Sequence, residues 1–266
     1  MLYGVKEFKL ALPCGEIDCI RFGHGPKPLV MLQGLSTRGI RCSGLSLAWM
    51  YRCFAKDYTV YLFDRRPDVA PGITVETLAA DAAAAMDALG LARAHVLGVS
   101  QGGMMAQYLA AHRPDLVEKL VLAVTACQTG PELESAVQTW VDRTNRGDWK
   151  GLVTHMAGVM YSPAYLKRYK PLLPLLALVQ RPRDRSRFIA LARSCLTCRT
   201  AELLQAIRCP VLVIGGGKDL LVGPHAARQL AEGLGCRLHL YPELGHACYE
   251  EAAEDFNRVV LDFLKQ

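Results

Sequence analysis

The feature that most constrains this chain is the stretch His95-Val-Leu-Gly-Val-Ser-Gln-Gly-Gly-Met-Met-Ala-Gln107. Its short apolar run, Val96-Leu97, reads as a buried strand. Met104, Met105 and Leu109, with Ala106 and Ala110, then recur at helical spacing. Between the two stands Gly98-Val99-Ser100-Gln101-Gly102, a Gly-x-Ser-x-Gly turn. A sharp passage from strand to helix strains the serine backbone and lifts its Oγ clear of a sheet. Glycines two before and two after it leave room where a Cβ would meet neighbouring backbone. The helix start adds free N–H groups and a partial positive charge beneath the hydroxyl. Ser100 is therefore the expected nucleophile.

A serine hydroxyl attacks well only when a base accepts its proton, and that base needs an orienting partner. Two later loops supply them. After the apolar run Val211–Ile214 comes Gly215-Gly-Gly-Lys-Asp219, and after Leu238–Tyr241 comes Glu243-Leu-Gly-His246. Both follow a strand's C-terminal end, where sites collect in open parallel sheets. The order serine, acid, histidine is the one that such a turn in an α/β sheet requires. Asp219 and His246 are the expected partners, with Glu243 as the alternative orienter. The oxyanion of an acyl-transfer intermediate needs two backbone donors. These are the N–H of Gln101 and that of Leu35, in the loop Gln33-Gly34-Leu35-Ser36 after the third strand.

The rest of the chain alternates. A hairpin is expected over Lys6–Leu12 and Glu16–Gly23, and strands over Leu29–Leu32, Tyr58–Phe63 and Leu120–Ala126. Helices are expected over Ser46–Ala55, from Thr74 to Leu89, over Gly223–Leu234 and over Glu250–Lys265. Strands alternating with helices imply a mostly parallel sheet covered on both faces. From Pro131 to Ala206 the rhythm is helical only, broken by Pro163, Pro171, Pro174 and Pro182. The sheet resumes afterwards, so residues 128–208 read as a helical insertion into a core made of residues 1–127 and 209–266.

Composition sets the remaining bounds. The 266 residues are 51% hydrophobic and 21% charged, an ordinary globular balance. No apolar run is long enough to cross a membrane, and the first residues lack the layout of a secretion signal. Ten scattered cysteines suit free thiols in a reducing cytoplasm, and Cys195-x-x-Cys198 has no second pair at metal spacing. No metal and no cofactor are expected. The net charge of +6 is concentrated in the insertion, which holds 13 Lys and Arg against 6 Asp and Glu. Without aromatic-interleaved basic motifs this does not point to nucleic acid. It fits either a solvated surface or attraction of an anionic substrate, with Lys167, Arg168, Lys170, Arg181, Arg183, Arg185, Arg187, Arg193 and Arg199 as its densest part.

From Leu29 onward the chain resembles the α/β-hydrolase fold enzymes, and most closely their capped esterase, lactonase and proline-iminopeptidase-like group. The matching pieces are Gly98-Val-Ser-Gln-Gly-Gly103, Arg113-Pro114, Gly217-Lys-Asp219 and Gly245-His246. The resemblance implies an eight-stranded, mostly parallel sheet with a helical cap between the sixth strand and the seventh. It also implies a serine hydrolase acting on a small ester, lactone or thioester. A carbon–carbon bond hydrolase, an aminopeptidase, an acyltransferase or a ligand receptor with vestigial hydrolysis would carry the same three residues. The family usually has His-Gly where this chain has Gln33-Gly34, and Asp-x-Arg-Gly-x-Gly where it has Asp64-Arg-Arg-Pro-Asp68. Both departures alter the walls of the site. Gln33, Gly34, Trp140, Trp149, His155, Met156, Met160 and Tyr161 are the candidate substrate contacts, in a monomer or homodimer.

Overall fold

The opening hairpin pairs β1 (Lys6–Leu12) with β2 (Gly15–Phe22), and the turn between them needs a glycine: Gly15 has φ 109°. In the computed structural model, which describes residues 2–169, 175 and 179–266, six further strands follow. They are β3 (Lys27–Leu32), β4 (Tyr58–Phe63), β5 (Ala94–Val99), β6 (Val117–Ala123), β7 (Val211–Gly216) and β8 (Arg237–Tyr241). The sheet order is β1-β2-β4-β3-β5-β6-β7-β8. Only the β1–β2 and β2–β4 pairings are antiparallel; the other five are parallel. The mostly parallel, eight-stranded sheet expected from the sequence is present.

Continuous apolar runs in the inner strands follow from burial on both faces. Successive side chains alternate, so Val30, Leu32, Leu120, Leu122, Val211 and Val213 enter one core. Leu29, Met31, Val121, Ala123, Leu212 and Ile214 enter the other. Helices α2 (Val75–Ala88) and α3 (Gln101–His112) cover the first face, and α1 (Gly44–Met50) lies on the second. Thr74 caps α2 by accepting from the Thr77 N–H at 3.0 Å, and Gly90 stops it with φ 65°.

Between β6 and β7 lie α4 (Pro131–Arg146), α5 (Trp149–Met160), α6 (Pro163–Tyr169) and α7 (Arg185–Ser194). Lys170, Pro171 and Pro174 lie outside the described residues. The two ends of this insertion meet at an isolated antiparallel bridge between Gln128 and Arg199. Thr200 fixes the exit, its N–H donating to the Cys127 carbonyl at 2.8 Å and its hydroxyl to Gln107 Oε1 at 2.5 Å.

Three expected helices end elsewhere. The one expected over Ser46–Ala55 stops at Met50, and a separate 3₁₀ turn spans Arg52–Phe54. The one after β7 starts only at Ala226 as α8 (Ala226–Leu234), because Gly223 takes φ 91° and belongs to a turn. The closing stretch divides at Ala252 into α9 (Cys248–Glu251) and α10 (Ala253–Lys265). No helix among the described residues is long and apolar enough to cross a membrane.

At the N-terminal end of β5, far along the strand from Ser100, His95 is 1% exposed and edge-on to Tyr58 at 5.6 Å. Neither ring nitrogen has a hydrogen-bond partner among the described residues. Burial pushes its pKa down to about 4, so the folded chain keeps it neutral while the unfolded chain protonates it near 6.5. Stability that is intact above that unfolded value is lost as pH falls towards 4. Urea unfolding of wild type and His95→Leu should show the gap between them moving by about 2 kcal/mol between pH 7 and pH 5, against the wild type. Parallel pH profiles would show that His95 titrates normally.

Candidate active site

The turn at the end of β5 has the geometry its residues suggest. Ser100 has φ 54° and ψ −120°, outside the regions that residues with a Cβ favour. Its N–H donates to the Ala123 carbonyl at 2.9 Å, and its carbonyl accepts from Thr125 Oγ1 at 2.8 Å. A Cβ on Gly98 would stand 2.6 Å from the Gly102 carbonyl oxygen, and one on Gly102 would overlap the Leu32 carbonyl. Both glycines are thus required by close approach. Helix α3 leaves at once, with every residue from Gln101 to Ala110 buried.

Three loops converge on the serine hydroxyl. His246 Nε2 lies 2.9 Å from Ser100 Oγ, and His246 Nδ1 lies 2.8 Å from Asp219 Oδ2. His246 and Asp219 are 1% and 2% exposed, so this chain of groups is shielded from water. The second Asp219 oxygen accepts the N–H groups of Leu221 and Val222 at 2.8 and 3.0 Å, which fixes the carboxylate plane. Glu243, the alternative acid, pairs instead with Lys218 at the surface at 2.5 Å. With Nδ1–H directed at the carboxylate, Nε2 is free to accept the serine proton.

The loop after β3 passes over the serine. A Cβ on Gly34 would stand 3.2 Å from Ser100 Cβ, so the glycine allows the loop to lie that close. Neither the Leu35 nor the Gln101 backbone N–H donates to another backbone or side-chain group among the described residues. Behind this loop sits Arg65, which the sequence singled out only as part of the Asp64–Asp68 departure and gave no role of its own. It is 9% exposed and burial holds its pKa down to about 10. Its Nη2 donates to the Gln33 carbonyl at 2.5 Å and to Gln101 Oε1 at 3.1 Å, and its Nε donates to the same oxygen at 3.2 Å. The Gln101 amide then donates to the Leu191 carbonyl at 2.8 Å and to Ser194 Oγ at 3.2 Å, both on α7. The signals available in the sequence were its position after the C-terminal end of β4 and the departure of Asp64–Asp68 from the family's pattern.

The candidate wall residues are dispersed. Met160 is half-buried, and its carbonyl accepts the Ala247 N–H at 2.8 Å, which places the end of α5 against the His246 loop. Tyr161 donates to Glu250 Oε2 at 2.5 Å and stacks on Tyr165 at 5.0 Å; burial and that carboxylate push its pKa up. Trp140 is packed inside the insertion, its indole N–H donating to His155 Nδ1 at 3.0 Å. His155 is therefore a neutral ring with its remaining proton on Nε2, and burial lowers its pKa. Trp149 and Met156 pack against the same core, with Arg185 over the Trp149 ring at 4.7 Å. A cavity of about 20 Å³ lies beside the Gln33-Gly34 loop, lined by Arg38, Arg65, Arg187, Asp64 and Gln101 among others. All ten cysteines are free, burial pushes the Cys195 thiol up to about 11, and no metal-ligating cluster occurs among the described residues.

The model of the alpha/beta hydrolase family matches residues 29–259. The chain belongs to that family. It is an enzyme by that membership, and several of its relatives bear hydrolase names. Among curated proteins it is similar to the serine hydrolase BPHL of Mus musculus, with 29% identity over 98% of this chain and 87% of that one. Among solved structures it is similar to a hydrolase from Pseudomonas aeruginosa PA01, with 26% identity, a TM-score of 0.82, and 98% and 99% of the two chains covered. The enol-lactonase of Burkholderia xenovorans LB400 shares the fold at a TM-score of 0.84 and 24% identity, covering 97% of this chain and 100% of that one.

The strain at Ser100 makes a prediction about stability. A glycine there releases a conformation that costs of order 1–3 kcal/mol for a residue with a Cβ, less the greater entropy of glycine when unfolded. Ser100→Gly should unfold in urea with a stability about 1 kcal/mol above that of Ser100→Ala. Equal stabilities would mean that the turn is unstrained.

Proposed function

We propose that the chain is a serine hydrolase that cleaves a small ester, lactone or thioester through an acyl-enzyme on Ser100. The reading rests on the hydrogen-bonded series Ser100, His246 and Asp219, with distances of 2.9 and 2.8 Å, at the C-terminal ends of three strands. His246 takes the proton as Ser100 Oγ attacks the carbonyl carbon, and Asp219 stabilises the imidazolium and fixes its tautomer. The N–H groups of Leu35 and Gln101 hold the oxyanion, each worth about 3–4 kcal/mol of barrier if the geometry is preorganised. His246 then protonates the leaving group, and water repeats the sequence on the acyl-enzyme. In this reading residues 128–208 form a helical cap over the site, with Gly34 beside Ser100 and the end of α5 at Met160 against the His246 loop.

Two measurements bear on this. A fluorophosphonate probe should label Ser100 near neutral pH, as peptide mapping would show, and Ser100→Ala should abolish labelling without loss of fold. Asp219→Asn should lower ester turnover by about 10⁴-fold, while Glu243→Gln leaves it within a few-fold. An adduct on another residue, or damage from the Glu243 change in place of the Asp219 change, would remove the assignment.

The same reading carries a preference for anionic substrates. Arg38, Arg65 and Arg187 line the small cavity beside the Gln33-Gly34 loop, and among its described lining residues the one carboxylate, Asp64, is already paired with Arg187 at 3.3 Å, which leaves the lining net positive. Charges of this kind raise the encounter rate of an anion and are screened over about 8 Å at physiological ionic strength. For an acyl ester and its ω-carboxylated analogue, kcat/KM should favour the carboxylate at low salt, and the gap should narrow at high salt. A neutral ester that wins at both salts would show the charge to be a solubility feature.

A further inference from the structure

We propose that Arg65 is a positioning residue for the oxyanion hole, its buried guanidinium holding the two donor-bearing backbone segments at a fixed separation. The inference rests on the serine hydrolase reading above and adds a residue that the reading does not need. The two expected donors come from different parts of the chain: Leu35 from the loop after β3, and Gln101 from the first residue of α3. The parallel β3–β5 ladder reaches Leu32 and Gly98, and past it no further backbone hydrogen bond joins the two donor segments among the described residues. Past that ladder, one side chain bridges the two segments. Arg65 Nη2 donates to the Gln33 carbonyl at 2.5 Å and to Gln101 Oε1 at 3.1 Å, while Nε donates to that same oxygen at 3.2 Å.

The guanidinium suits the task because its donors lie in one rigid plane, so a shift of either segment must break a bond. Lysine offers a single flexible point charge and cannot hold both acceptors in a fixed relation. Arg65 is itself held. Its N–H donates to Asp64 Oδ1 at 2.7 Å, and its carbonyl accepts from Arg187 Nη2 of α7 at 3.1 Å. The other Asp64 oxygen accepts the Ile40 N–H at 3.1 Å, at the far end of the donor loop. Gln101 is gripped from the opposite side by α7, through the Leu191 carbonyl and Ser194 Oγ. The unit formed by Arg65, Gln101 and the Gln33 carbonyl is thus clamped between β4 and the insertion. A charge that served only to bind the protein together could sit at any of these junctions. This one sits where the two donor segments meet, within one residue of Gly34, whose Cβ would stand 3.2 Å from Ser100 Cβ.

A positioning role and a purely structural one differ in what they move. Oxyanion donors act on the transition state, so their misplacement lowers kcat and leaves KM nearly unchanged. A structural tie moves thermal stability and the fraction of folded sites. Arg65→Met, Arg65→Gln and Arg65→Lys are compared with wild type for kcat and KM on a neutral aryl ester, for titrated active sites, for Tm, and for the second-order rate of Ser100 phosphonylation. That last rate reports the same hole, because the phosphoryl oxygen occupies it. Loss of one such donor costs about 10²–10³-fold. Arg65→Met is expected to lose about 30- to 100-fold in kcat per titrated site and a similar factor in phosphonylation rate, with KM within about threefold. Arg65→Lys is expected to recover part of both rates. If Arg65→Met does not fold, Arg65→Gln and Arg65→Lys carry the same comparison. Rates per titrated site within threefold of wild type in the folded variants overturn the proposal. So does a loss fully accounted for by fewer titratable sites. Failure of the underlying reading looks different: the wild type itself is then not labelled at Ser100, or Ser100→Ala still turns over.

Discussion

One backbone conformation carries the rest of the site: Ser100 held at φ 54° and ψ −120° between β5 and α3. A residue with a Cβ does not rest there unless its surroundings over-determine it. They do so from both sides. The Ser100 N–H is committed to β6 through the Ala123 carbonyl, and its carbonyl is taken by Thr125 Oγ1 and by the Gly103 N–H at 2.8 Å. The strand before it is buried at every position, and so is the helix after it as far as Ala110. Moving the turn would therefore unpack the centre of the sheet. The strain is local, while what opposes its release is the sheet core on both faces.

The polar groups around that turn extend the same logic. A buried carboxylate or guanidinium is costly unless its hydrogen-bonding capacity is used. Asp219 spends one oxygen on His246 and the other on two backbone N–H groups. Arg65 divides its donors between Gln33 and Gln101. In each case the bonds that offset burial also set the position of a group next to Ser100. Rigidity and solvation of the charge are then one requirement, and neither side chain can be shortened without leaving a buried partner unpaired.

The sheet was largely legible because its inner strands are buried on both faces and so read as uninterrupted apolar runs. Tyr58–Phe63 has the limits expected of it, Arg237–Tyr241 starts one residue before the expected run, and Val117–Ala123 lies three residues ahead of the expected Leu120–Ala126. Helix ends were harder, since they depend on particular dihedrals: Gly223 turns at φ 91°, and the closing helix divides at Ala252, for which the sequence offers no glycine or proline. Ser100, Asp219 and His246 stood out because each lies just past a strand, and parallel strands bring their C-terminal ends together. The network of Arg65 was invisible for the complementary reason. Whether an arginine after a strand points to water or into the protein depends on α7, which lies 122 residues later in the chain. No local pattern encodes such a contact. The same holds for Trp140, whose place in the interior and whose bond to His155 depend on how α4 packs on α5.

The division between legible and illegible residues follows the division of labour in the molecule. Groups that would do bond-making chemistry sit on loops fixed by the sheet, whose register tolerates no slip because a shift of one residue exchanges its two buried faces. Groups that shape the surroundings of those loops reach them from the insertion. Leu191 and Ser194 grip Gln101, Arg187 grips the segment after β4, and the Met160 carbonyl takes the Ala247 N–H beside His246. The insertion is thus hydrogen-bonded to the helix that opens after Ser100, to the segment after β4 and to the loop that carries His246.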